Sequence, residues 1–317
     1  MSLSWEVCTA AELRERGLTR AAVDSEIAAG RLSREAHGVY LLGARVEGHD
    51  GAVQAAEIAL ASHPSASVTG VSAAMVLGLD GFQADDLPIE RPALVQLPQS
   101  ASGRRAGARR RARLLPPVRW GTVDLSSVEE VLLELAGEPG PAPRPGCSAA
   151  SRPLDVIELV ELAVEDAIRR GIVSVESLRE TVARCGTRRT GVRVLADVLA
   201  LRGDQSPTES YLETRCIQEL RRYGLPAFDR QKWVGVDGLR YRLDLCLADP
   251  VHGDIVIEPM GKGPHADRLD RDSARSAALT SSGRRVVPVT FHAVEFEPER
   301  MVAHIRRLLG CGCRRAG

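Results

Sequence analysis

The chain has 317 residues, enough for two or three compact units of about 100 to 150 residues each. Hydrophobic residues make up 44% and charged residues 26%, the balance of an ordinary globular protein, while aromatics at 3% argue against base stacking on ring platforms. The 42 basic and 42 acidic residues cancel, so any nucleic-acid contact must come from local patches, and no apolar run approaches the ~18 residues of a membrane span. The first residues, MSLSWEVCTAAELRER, show no basic stretch followed by an apolar one, so a cytoplasmic protein without membrane association is expected. Seven scattered cysteines with no CxxC pair fit reduced thiols, and Cys311-Gly312-Cys313 falls short of a zinc site.

In chain order, Thr9 to Arg16 has helical spacing and stops at Gly17, and Thr19 can cap a second helix that runs to about Ala29 and closes at Gly30. Residues Arg31 to Leu42 alternate like a β-hairpin with a polar tip. Helix, turn, helix, hairpin is the order of a winged helix, expected over 1–50. An α/β middle domain is expected over 51–137: an Ala-rich helix, a break at Pro64, a helix from Ser72, strands near Leu94–Leu97 and Val118–Trp120, and a helix from Ser126 to Leu135. Between these strands lies the arginine-dense segment Arg104 to Arg113, in which Arg109, Arg110 and Arg111 are candidate phosphate contacts. The stretch 138–152, rich in Pro, Gly, Ser and Ala, predicts a linker, and 153–203 a helical connector of three helices.

From 204 to 312 the pattern changes. A helix over Ser206 to Tyr223 is followed by strands at Trp233–Val236, Tyr241–Leu247 and Ile255–Glu258, a helix over Arg268–Ser281, a strand at Arg285–Thr290 and a helix from Pro298. This order predicts a mixed sheet flanked by helices. Asp244 and Glu258 interrupt strands otherwise suited to burial. Burying a carboxylate costs several kcal/mol unless it is paired or bound to a cation, so the two, with Glu209 from the preceding helix, are candidate Mg²⁺ or Mn²⁺ ligands. Strand-end acids also commonly face solvent or pair with arginine.

The string Ser206-Pro207-Thr208-Glu209, the strand Arg242-Leu243-Asp244-Leu245, Glu258-Pro259-Met260-Gly261 with His265 beyond it, a helix with Asp272 and Arg275, and Arg284 to Thr290 resemble the Vsr-like endonuclease domain of the PD-(D/E)xK superfamily over 204–310. The resemblance implies a restriction-endonuclease-like fold, a metal site made by Glu209, Asp244 and Glu258, and catalytic roles for Asp244, Glu258 and His265, with Gln231 facing the site. Met260 stands where the family has a second acid and the wider superfamily a lysine. Lys262, one of two lysines in the chain, is the candidate replacement.

The N-terminal region is similar to the winged helix of AbiEi-type antitoxins, through Leu18 to Val23, Ala29 to Leu32, His37 to Tyr40 and Val68 to Leu79. The likeness implies a helix in the DNA major groove presenting Arg20, Asp24 and Ser25, with Arg31 and Arg34 meeting phosphates from the wing. Two functions follow as expectations. One is a Mg²⁺-dependent deoxyribonuclease acting in repair, restriction or defence against phages and mobile elements. The other is a DNA-binding, antitoxin-like regulator with a nuclease fold that no longer cuts, with double-stranded DNA and a toxin or other protein as partners.

Overall fold

A computed structural model describes residues 5–85, 87–91, 93–98, 108–110, 113–138, 152–260 and 266–310. It is a mixed α/β protein with twelve helices and three sheets among the described residues. None of those helices is long and apolar enough to cross a membrane. The chain divides into two compact units, Met1–Cys147 with Leu154–Ala200, and Ser148–Pro153 with Leu201–Gly317.

The first unit opens with β1 (Glu6–Thr9), α1 (Ala10–Glu15), α2 (Arg20–Ala28), β2 (Leu32–Ala36) and β3 (Val39–Leu42). Thr9 caps α1 in a reciprocal box with Glu12, satisfying two backbone donors, and Thr19 caps α2. The strands pair antiparallel in the order β1-β3-β2 around Cys8, Leu13, Val23 and Leu32. Strand β1 has too few residues to show an alternation of its own and was not expected from the pattern.

A second sheet follows, built from α3 (Gly48–Ser62), β4 (Ser67–Val68), α4 (Gly70–Leu77), β5 (Val95–Leu97), β6 (Ala108–Arg110), β7 (Val118–Trp120), β8 (Val123–Leu125) and α5 (Val128–Leu135), with strand order β6-β5-β4-β8-β7. Helices α6 (Val156–Arg169), α7 (Val175–Cys185) and α8 (Val192–Arg202) share its core: Leu162's neighbours Ala163 and Val164, with Leu178 and Leu195, join Val68, Leu132 and Leu133 in one buried cluster. Full burial of each Leu or Val there contributes roughly 1.5–3 kcal/mol. The stretch from 154 to 200, expected as a connector, is therefore part of the first unit's interior.

The second unit comprises α9 (Tyr211–Arg222), β9 (Asp229–Val236), β10 (Leu239–Leu247), β11 (Ile255–Met260), α10 (Ala266–Ser281), β12 (Arg285–Thr290), α11 (Phe291–Glu295) and α12 (Pro298–Leu308). The sheet order is β12-β11-β10-β9, with β11 and β12 parallel and the other pairs antiparallel. Asp237 and Gly238, both at positive φ (49° and 78°), make the two-residue turn between β9 and β10 whose twist suits a hairpin. Leu245, Leu247 and Ile257 face α9 and α12, packing with Leu212, Ile217 and Ile305, while Cys246 and Val256 pack with Leu279 of α10 on the opposite face. Helix α9 begins at Tyr211 and not at Ser206, because Ser210 caps it by accepting from the Glu213 amide. Glu209 thus lies before the helix that was expected to carry it.

Candidate functional site

Strand β10 carries the candidate site at a point where its alternation slips. Leu243 packs on the same side as Cys246, three residues on, while Leu245 packs on the other, so the change of phase falls at Asp244. Across the hairpin the register runs Leu243 to Lys232 and Leu245 to Arg230, leaving Asp244 beside Gln231. Gln231 has φ 52°, a left-handed conformation that costs a non-glycine residue on the order of 1 kcal/mol and that clusters at functional sites. On the other side, Asp244 and Glu258 flank the Leu245–Ile257 pair of β10 and β11, which makes them cross-strand neighbours.

Helix α9 adds a carboxylate that sequence reasoning missed. Glu213 is 6% exposed, and its Oε2 accepts from Gln231 Nε2 at 3.0 Å and from the Glu209 amide at 2.9 Å. Burial pushes its carboxyl up to about 7; the charges of Asp244 and Glu209 add to the rise, against the two hydrogen bonds. Burial also raises the Asp244 carboxyl, with Glu209 acting the same way and Arg275 and Arg242 opposing. The signal for Glu213 was its place four residues before Ile217 and seven before Leu220, on the apolar stripe of α9.

Two arginines answer the remaining acids. Arg242 of β10 pairs with Glu209, and Arg275 of α10 gives Nη2 to Glu258 Oε1 at 2.6 Å and to the carbonyl of Arg242. Asp244 has no hydrogen-bond partner among the described residues, and the buried Oε1 of Gln231 has none there either. The acids have the hard oxygen chemistry that suits Mg²⁺, but guanidinium groups already occupy Glu209 and Glu258. Among the described residues no group of three or more His, Cys, Asp or Glu is arranged to hold a metal ion. As arranged, this donor set does not fit the ion.

The structure therefore brings Glu209, Gln231, Asp244 and Glu258 together around Asp244 of β10. Lys262 and His265 lie outside the described residues, and Met260, in the place of the missing acid, is exposed at the end of β11. In the first unit, Arg20, Asp24 and Ser25 are exposed on α2, and Arg34 is exposed on β2. Arg31 is also exposed, and its guanidinium meets Glu26 through Nε at 2.6 Å and Nη2 at 2.7 Å. Arg111 and the side chains of Arg109 and Arg110 lie outside the described residues.

One aromatic residue stands out against the low aromatic content. Trp233 on β9 is 56% exposed, directly across from Arg242 in the register, with the guanidinium carbons of Arg240 and Arg242 at 5.0 and 5.9 Å from its ring. A half-exposed indole between two arginines next to the Glu209 pair is a surface suited to phosphate and base contact. Comparison of the chain with known protein families, with curated proteins and with solved structures gives no match.

Proposed function

We propose that the protein is a DNA-binding protein of the regulator type, with a Vsr-like nuclease fold in its second unit that serves as a binding platform and does not cut. The observation that carries this reading is the pair of ion pairs Arg242–Glu209 and Arg275–Glu258, which neutralise two of the three acids that the resemblance assigns to a metal. The order β1-α1-α2-β2-β3, with exposed Arg20 and Arg34, supports a winged helix that supplies groove and phosphate contacts. The exposed Trp233 between Arg240 and Arg242 supports a second contact with nucleic acid. In the AbiEi-like branch of this reading the working partner is a toxin, and the location is the cytoplasm.

The test is DNA binding measured beside DNA cleavage. Duplex binding is expected to weaken steeply with salt and to fall on Arg20→Ala or Arg34→Ala, while Asp244→Asn leaves it unchanged. Supercoiled, nicked, mismatched and single-stranded DNA are expected to survive incubation with Mg²⁺ or Mn²⁺. Cleavage lost on Asp244→Asn overturns the non-cutting reading, and affinity indifferent to salt overturns DNA binding.

A second reading rests on Glu213 and Asp244. Guanidinium groups prefer phosphate as readily as carboxylate, so DNA that draws Arg242 and Arg275 onto its backbone would release Glu209 and Glu258 beside these two acids. The protein would then be a Mg²⁺-dependent nuclease armed by its substrate. Met260→Asp, which restores the missing acid, distinguishes the two: nicking that appears only in that variant favours the platform, and nicking present without it favours the nuclease.

A further inference from the structure

The first unit holds a cavity of about 680 Å³ that the DNA reading does not use. Its floor is made by Ala55, Ala59 and Ile58 on one face of α3 and by Ala93 and Val95 leading into β5, all buried. Three of these five are alanines, and the space exists because their side chains stop at Cβ. The rim is charged. Glu35 on β2, Arg45 and Arg91 stand on it, with His37, Ser62 and His63.

The charge count is unequal: two guanidinium groups face one carboxylate. Arg45 gives Nε at 3.3 Å and Nη2 at 2.8 Å to Glu35, whose carboxyl is held below its ordinary range: burial raises it, and the hydrogen bonds from Arg45 and Ser33 and the charges of Arg45 and Arg91 more than offset that. Arg91 gives Nη2 to the Val46 carbonyl at 2.9 Å and Nη1 to Gln54 Oε1 at 3.4 Å. Arg45 Nη1 and Arg91 Nε have no hydrogen bond among the described residues. Glu35 is hydrogen-bonded by one arginine and senses the charge of the other, so the two guanidinium groups of the cavity share a single carboxylate.

We propose that this cavity is a binding site for a small organic anion, a carboxylate carried on a compact apolar body. The carboxylate accepts from Arg45 Nη1 and Arg91 Nε, the donors that Glu35, Gln54 and the Val46 carbonyl leave open, and the apolar body fills the space above Ala55, Ala59 and Ala93. Because Arg91 and Gln54 also hold the backbone at Ala44 and Val46, an occupant touches the segment that joins β3 to α3. This inference stands without the DNA reading, since it uses only the cavity.

The experiment is isothermal titration calorimetry of the full chain with 2-naphthoate, and with 2-naphthamide as the neutral control. Saturable binding of 2-naphthoate with a Kd of about 1 mM or tighter is expected, with the amide at least about tenfold weaker. Arg45→Gln is expected to weaken 2-naphthoate about tenfold while leaving the affinity for the amide unchanged. Ser62→Trp, which projects a ring over the rim, abolishes binding of both. No saturable heat up to about 10 mM overturns the site; so does equal affinity for acid and amide, or an Arg45→Gln protein that binds as the parent does.

Discussion

Two of the buried charged residues on helix α9, Glu213 and Arg215, stand two positions apart, and the protein treats them in opposite ways. Arg215, 1% exposed, is fully answered: Nε meets Glu295 at 3.0 Å, Nη2 meets Glu219 at 3.0 Å and Nη1 meets Gln218 at 2.6 Å, with the Tyr211 hydroxyl also donating to Glu295 at 3.2 Å. Glu213 receives only neutral donors and faces two further carboxylates. The first arrangement joins α9 to α11 by charge. The second keeps a carboxyl in a state that ordinary packing would not select. A buried charge with a complete set of partners is architecture, whereas one left among like charges raises the energy of the fold and marks a candidate position for chemistry or binding.

The contrast can be broken most forcefully at Arg215. Arg215→Met keeps the length of the side chain and leaves Glu219 and Glu295 buried without their shared cation, so a loss of about 3–5 kcal/mol is expected by urea denaturation. A loss below about 1 kcal/mol would remove the architectural half of the comparison. Glu213→Gln should act in the opposite direction. The folded carboxyl titrates near 7 and an unfolded one near 4.5, so the folded state holds the proton more tightly. That advantage is complete below the unfolded value and is lost as pH rises through about 7. The glutamine variant should match the parent near pH 4 and exceed it by roughly 1–3 kcal/mol near pH 8.

Asp244→Asn should give a gain of the same sign but smaller, because Arg275 and Arg242 already offset part of the burial. Combined with Glu213→Gln, it should give less than the sum of the two single changes, since each substitution removes the like charge that the other relieves. Strict additivity, measured by the same denaturation series, would mean that the two carboxyls do not sense each other.

Much of the frame was legible in the residues. Thr9 with Glu12 and Thr19 marked two helix starts by their capping chemistry, and the run Leu243 to Leu247 showed a buried strand with an acid inside it. Glu258 could be placed beside Asp244 because the strands on either side were apolar enough to be neighbours. The arginine latches could not be read this way. Arg275 lies 17 residues from Glu258, and Arg242 lies 33 from Glu209, with nothing local to announce the pairings. Gln231 was legible as a polar residue near the site, but its left-handed backbone depends on the slip in β10 across from it. Strand β4 has two residues and β8 three, below the length at which period-two alternation can be told from chance.

Anyone wishing to take the molecule apart will find that the proline-rich stretch before residue 152 is the wrong place for the scissors. A fragment that stops there carries the second sheet without α6, α7 and α8, and Leu132, Leu133 and their neighbours lose the side chains that cover them. Such a piece should aggregate. One that continues to about residue 203 keeps its greasy flank clothed, and is the fragment on which the first unit and its cavity can be studied in isolation.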